Sequence, residues 1–177
     1  MPENALPYGR FVRLVLEALE EAGVPYLVGG AVAAWAWGEP RATRDLDLVV
    51  DLPVEAAGGL AEALASRNIP LPAEIILDRL IEDRADVPLS AVHVPTGYKV
   101  DIYLLRPGDE LRQEAFRRRT LVDLGPELGK VHLHSPEDLI IYKLWYYSLS
   151  QQTKHLRDIA SIVLTLGGDL DEAYIRH

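Results

Sequence analysis

The chain has 177 residues, no cysteine and a formal net charge of −9. This excludes a disulfide framework, a thiol nucleophile and a surface built to coat DNA or other nucleic acid, since coating relies on cationic contacts to phosphate. No apolar run approaches the roughly 20 residues that cross a bilayer and no leader pattern opens the sequence, so a cytoplasmic protein without membrane contact is expected. No linker composition divides the chain. It reads as one domain over 1–177, with a core over about 8–134 and C-terminal helices over about 135–177.

In chain order, a helix is predicted over Tyr8 to Ala22, then a strand through Val28 that ends at Gly29-Gly30. Glycines there let backbone N–H groups approach a phosphate, and a helix over Ala31 to Trp37 adds its positive end. Trp35 and Trp37, set among alanines, read as packing residues of that helix. The loop Arg41-Ala42-Thr43-Arg44 leads into a strand over Asp45 to Val50. A strand alternates faces with a period of two, so Asp45 and Asp47 project together while Leu46 and Leu48 pack on the other side. Two adjacent carboxylates repel, and a hard cation such as Mg²⁺ or Mn²⁺, bound through one or two carboxylates plus water and phosphate, removes the repulsion. Arg41 is a candidate phosphate ligand. Thr43 is either a second one or a bond to local backbone.

A helix over Val54 to Arg67 and a helical stretch over Ala73 to Glu82 are expected next, followed by strands near Ala91 to Val94 and Tyr98 to Leu105. Asp101 lies inside the latter, surrounded by apolar residues. A lone ionised carboxylate is costly to bury, so Asp101 should open onto a cleft or a metal. Arg112, Arg117, Arg118 and Arg119 make the only dense basic cluster. A solvated helix face accounts for it more simply than an RNA patch does. After a short strand over Lys130 to His134, Ser135 and Pro136 signal a helix start, and Glu137 and Asp138 suit its positive end. Lys143, between Leu139 and Tyr147 one turn away, needs an anionic partner: a nucleotide phosphate, or a local acid such as Asp138. The last helix, Lys154 to Leu166, carries Lys154, Arg157, Asp158 and Ser161 on one face and Leu156, Ile159, Val163 and Leu166 on another. The five histidines, His93, His132, His134, His155 and His177, read as structural or surface residues, because neither a cysteine nor a His-Glu-x-x-His helix accompanies them.

The order Gly-Gly, Asp-x-Asp and a third aspartate on a later strand resembles the nucleotidyltransferase (polymerase-β-like) superfamily, over most of the chain. Within it, the closest likeness is to the AbiEii-like and related minimal nucleotidyltransferases, many of them toxins of toxin–antitoxin pairs. The resemblance implies an α/β (α+β) fold, a mixed sheet flanked by helices with a helical C-terminal part. It implies transfer of NMP from an NTP to a hydroxyl of tRNA, protein or a small molecule, with release of pyrophosphate. Asp45, Asp47 and Asp101 would hold the metal, and Gly29, Gly30, Arg41, Thr43 and Lys143 the nucleotide. A cognate antitoxin protein would be a further partner. Ala31 stands where many members place a phosphate-binding serine, and the alternative is a catalytically inactive binding or regulatory protein of the same fold.

Overall fold

The computed structural model describes residues 6–82, 84 and 86–177. The first helix, α1 (Tyr8–Glu21), buries Phe11, Val12, Val15, Leu16 and Leu19, an apolar stripe at helical spacing. It ends ahead of Gly23, whose φ of +68° turns the chain toward the sheet. Strand β1 (Tyr26–Val28) is wholly buried and leads through Gly29 into α2 (Gly30–Trp37). Strand β2 (Asp45–Val50) has the bounds its alternation predicts.

The single helix expected over Val54 to Arg67 is instead a 3-10 turn, Val54–Ala56, followed by α3 (Ala57–Ala65). Helix α4 (Ala73–Ile81), strands β3 (Leu89–Val92) and β4 (Lys99–Leu104) and helix α5 (Glu110–Arg117) follow. Strand β5 (Thr120–Asp123) is unforeseen. It sits at the sheet edge with Leu121 exposed, so its sequence shows no alternation of buried and exposed residues. Strand β6 (Lys130–Leu133), helices α6 (Pro136–Ser150) and α7 (Thr153–Leu166) and the short α8 (Glu172–Ile175) close the chain.

The six strands form one mixed sheet in the order β3-β4-β2-β1-β6-β5. Strands β2 and β4 run parallel, as do β1 and β6, and the other neighbours run antiparallel. One face carries Leu46, Leu48, Val50, Val100, Ile102 and Leu104 into the main core, shared with α1, α2 and α3. The other face carries Leu27 and Val49 into a smaller cluster with Ala115 and Phe116 of α5 and Tyr142 of α6. Because α5 and α6 cover only part of this second face, the rest is left for a cleft.

The expected apolar face of α7 is only partly inward: Ile159 and Leu166 pack against the main core, whereas Leu156 and Val163 are exposed. Asp158 and Ile162 are its buried residues, and the Ser161 hydroxyl accepts from the Glu39 backbone N–H at 2.6 Å. An ion-pair network holds this polar side inward. Among the described residues, no helix is long and apolar enough to cross a membrane.

Candidate active site

Asp45 and Asp47 share the second face of β2, and the parallel register sets Asp47 directly beside Asp101 of β4. Asp45 is exposed and Asp47 half-buried, and both line a cavity of about 330 Å³. Burial, and then the neighbouring Asp101 and Asp45 carboxylates, push Asp47 up to about 6. Asp101 is 9% exposed and is engaged on both oxygens, one accepting from the Ser90 hydroxyl and the other 2.9 Å from Lys99 Nζ. It adjoins the cavity without lining it. A serine and a lysine thus offset the cost of burying its charge, where the sequence alone points to a cleft or a metal. Among the described residues, no three His, Cys, Asp or Glu side chains stand so that together they could hold a metal ion.

Gly30 packs against this acid group. Its φ is +59°, which favours glycine, and a Cβ there would lie 2.2 Å from Asp47 Oδ2, so a larger residue would displace that carboxylate. The Gly29 N–H donates to the Asp47 carbonyl at 2.9 Å, which ties the turn to β2. The N–H groups of the first turn of α2 have no partner within the helix, and Gly29, Gly30 and Ala31 line the cavity. Tyr8, held neutral because burial and the charges of Asp47 and Asp45 raise its pKa, donates to the Asp45 carbonyl at 2.8 Å.

Opposite the acids stands a cationic arm. Lys143 Nζ lies 2.6 Å from Asp158 Oδ2, and Arg41 reaches the same carboxylate through Nε at 2.8 Å and Nη2 at 3.0 Å. The anionic partner that Lys143 requires is therefore Asp158 of α7 and not Asp138. Asp138 is engaged by Ser135, Arg118 and the Tyr174 hydroxyl. Burial acts to raise Asp158, yet the Arg41 and Lys143 hydrogen bonds outweigh it and hold Asp158 below the ordinary carboxylate range. Burial pulls Lys143 down, and Asp158 opposes that fall. Two cations on one carboxylate leave one positive charge in excess at the cavity wall. Thr43 lines the cavity too, but its hydroxyl donates to the Asp45 carbonyl at 3.2 Å and accepts from the Asp45 N–H at 3.3 Å, so it shapes the start of β2.

Apart from Lys154, the remaining wall was not legible in the sequence. Tyr103, Arg112, His134, Tyr142 and Tyr146 line it, with Lys154 and His155 toward α7. Arg112 does not belong to a solvated basic face. It is 3% exposed, pairs with Asp109 and lies over the Tyr103 ring, 5.0 Å from its centroid. His134 packs against Tyr142 and beneath Gly29, and burial pulls it down to about 4, so it is neutral at neutral pH. Arg157 is exposed and lines no part of the cavity. The expected polar stripe of α7 thus contributes Lys154 at the cavity and Asp158 behind Lys143.

No family model and no curated protein matches this sequence. Solved structures do match. The chain superposes on ANT(2'')-Ia in complex with adenylyl-2''-tobramycin with a TM-score of 0.63 at 18% identity, covering 95% of this chain and 96% of that one. It superposes on an antigenic nucleotidyltransferase-like protein from Paracoccidioides brasiliensis at TM-score 0.56 and 21% identity, covering 89% and 76%. For the lincosamide antibiotic adenylyltransferase LnuA with lincomycin bound, the values are 0.54 and 13%, covering 90% and 98%. At these identities what is shared is the fold. The chain has the mixed sheet and flanking helices of nucleotidyltransferase-like proteins.

Proposed function

We propose that this protein is a divalent-metal-dependent nucleotidyltransferase, passing an NMP from an NTP to a hydroxyl and releasing pyrophosphate. The observation that carries the reading is one cavity that joins the Asp45/Asp47 pair, the Gly29-Gly30 helix start and the Arg41/Lys143 arm. The donor set fits Mg²⁺ or Mn²⁺: it is oxygen-only and faces the cavity, and burial together with the neighbouring carboxylates disfavours a bare charge on Asp47. Asp45 and Asp47 would hold the ion, with Asp101 adjacent. Once bound, the ion neutralises charge on the triphosphate and favours the ionised acceptor hydroxyl.

The chain's own residues bind and orient. First-turn N–H groups of α2 and the excess charge of the Arg41/Lys143 arm take the phosphates. The acceptor oxygen forms a bond to the α-phosphorus as the bond from that phosphorus to the oxygen of the β-phosphate breaks, and the hydroxyl proton is released at the acid face. Thr43 serves by fixing β2. The tobramycin and lincomycin complexes of the structural neighbours favour a small-molecule hydroxyl as acceptor, with tRNA and protein as the other classes. The likeness to AbiEii-like proteins adds a toxin role with an antitoxin partner.

The test is label transfer from each of four α-³²P NTPs, with Mg²⁺, to antibiotic, RNA and protein acceptors. The Asp45→Ala, Asp47→Ala double variant is run alongside. Label on one acceptor class, reduced on the order of a thousandfold in the variant, is expected. Binding of Mg²⁺·NTP with no transfer from any nucleotide would overturn the reading. It would favour instead the catalytically silent protein that Ala31 and the engaged Asp101 oxygens suggest.

A further inference from the structure

The register of β2 and β4 places four charged side chains at the corners of a square on one face of the sheet. Asp45 is paired with Lys99 on one rung and Asp47 with Asp101 on the next. Lateral neighbours in a sheet lie about 5 Å apart and alternate residues along a strand share a face. Three corners are carboxylates, and the fourth is an ammonium whose Nζ sits 2.9 Å from Asp101 Oδ2. On the other side of β4, Ser90 is in register with Asp101, and its hydroxyl takes the second oxygen. These two contacts engage both oxygens of the Asp101 carboxylate.

We propose that Lys99 is a built-in counter-cation for Asp101, which leaves Asp45 and Asp47 as the seat of one divalent ion and makes access of a second ion to Asp101 conditional on withdrawal of the ammonium. The inference rests on the metal-dependent reading above and deepens it. The Lys99 side chain is 41% exposed, against 13% for Asp101. A lysine exposed to that degree forms a weak ion pair and swings into water at little cost, whereas the carboxylate is fixed in the sheet. A buried lysine at this corner would be a permanent part of the site, and an exposed one is displaceable. Lys99 is thus a positioning residue that sets how many ions the acid face takes and at what concentration.

Metal binding by the full chain without nucleotide tests this directly. Mn²⁺ is titrated into wild type, Lys99→Met, Lys99→Gln, Lys99→Arg and Asp47→Asn while the free ion is followed by electron paramagnetic resonance. Circular dichroism checks that each variant is folded. Removing one positive charge beside the ion should tighten Mn²⁺ binding on the order of tenfold in the Met and Gln variants, and Lys99→Arg should stay within about twofold of wild type. Superimposable isotherms for wild type and Lys99→Met, with binding abolished in Asp47→Asn, would overturn the role of Lys99 and leave the metal site standing. No saturable binding in any chain would overturn both.

Discussion

The two walls of the cavity are built in different ways. The acid wall comes from Asp45 and Asp47 on one strand, backed by Asp101 of the neighbouring strand, and its geometry follows from strand alternation and one parallel register. The opposite wall is assembled from α5, α6, α7 and the Arg41 loop, and it depends on which side of each helix turns inward. The cost of burial, and then the repulsion of carboxylates that a rigid sheet cannot move apart, are stored as a raised Asp47 pKa. Cations on a loop and a helix can be gathered by one acid, and Asp158 gathers Arg41 and Lys143. The site proposed above to receive a polyanion and a cation together thus has its rigid half on the sheet and its adaptable half on the helices and the Arg41 loop.

The largest expected effect tests the adaptable half. Asp158→Asn leaves Lys143, which is 3% exposed, without a charged partner and beside Arg41. An uncompensated buried charge costs about 3–5 kcal/mol, read from the denaturant midpoint. The double variant Asp158→Asn, Lys143→Met should recover part of that loss, because it removes the stranded charge along with its partner. A loss below about 1 kcal/mol for Asp158→Asn would mean that the arm is held by something other than this carboxylate.

The acid wall is sharpened by pH. Asp47 is raised from 3.8 to about 6, so the folded state keeps a proton that the unfolded state has lost. Stability therefore falls as pH rises from about 4 to 6, by about 2–3 kcal/mol at some 1.4 kcal/mol per unit. His134 works the other way. Its pKa drops from 6.5 to about 4, so the unfolded state binds the proton first and stability is lost as pH falls through that window. Asp47→Asn should raise stability at pH 7.5 in the absence of metal, and should unmask the rising slope of His134 between pH 4 and 6.5. Mg²⁺ should raise the melting temperature of wild type and leave Asp47→Asn unchanged, since a bound cation relieves the same repulsion. Equal melting profiles of the two chains across this range would break the account of stored charge.

What could be read from the sequence follows the same division. Gly29-Gly30, Asp45-Leu46-Asp47 and Asp101 were legible because a turn and a period of two are local, and one register brings the strands together. The identity of Asp158 as the partner of Lys143 was not legible. Of the apolar stripe that periodicity assigns to the core, Leu156, Ile159, Val163 and Leu166, only Ile159 and Leu166 pack there, and the ion pairs with Arg41 and Lys143 turn Asp158 inward in place of the others. Arg112 was hidden for a similar reason. In sequence it belongs to a run of arginines, and only packing separates it from them. Arg112 goes against Tyr103, Arg117 pairs with Glu114, and Arg118 pairs with Asp138 and covers the Tyr174 ring. His134 and Tyr142 carried no motif, and their place in the cavity wall depends on how α6 crosses the sheet.

Where the two walls meet, at Gly30, lies the smallest expected effect and the one that separates two causes. Gly30→Ala introduces a residue at φ +59° and a Cβ 2.2 Å from Asp47 Oδ2. The first cost is backbone strain of about 1–2 kcal/mol, the usual penalty for an L-residue in the left-handed region. The second is steric, and the Asp47 carboxylate answers it by rotating out of its place in the acid group. If both operate, Gly30→Ala in an Asp47→Ala background should cost only the strain, because the atom in the way is gone, while in wild type it should cost more and also weaken Mn²⁺ binding. Gly29→Ala is the contrasting change. Its φ of −116° suits any residue, and an added Cβ would meet the His134 ring at 3.1 Å. It should therefore disturb the far wall and leave the acids and their metal affinity in place. Equal costs for Gly30→Ala in both backgrounds would show that the glycine is required by the turn alone. A reduced cost without Asp47 would show that the turn and the acid group were fitted to each other at this one atom.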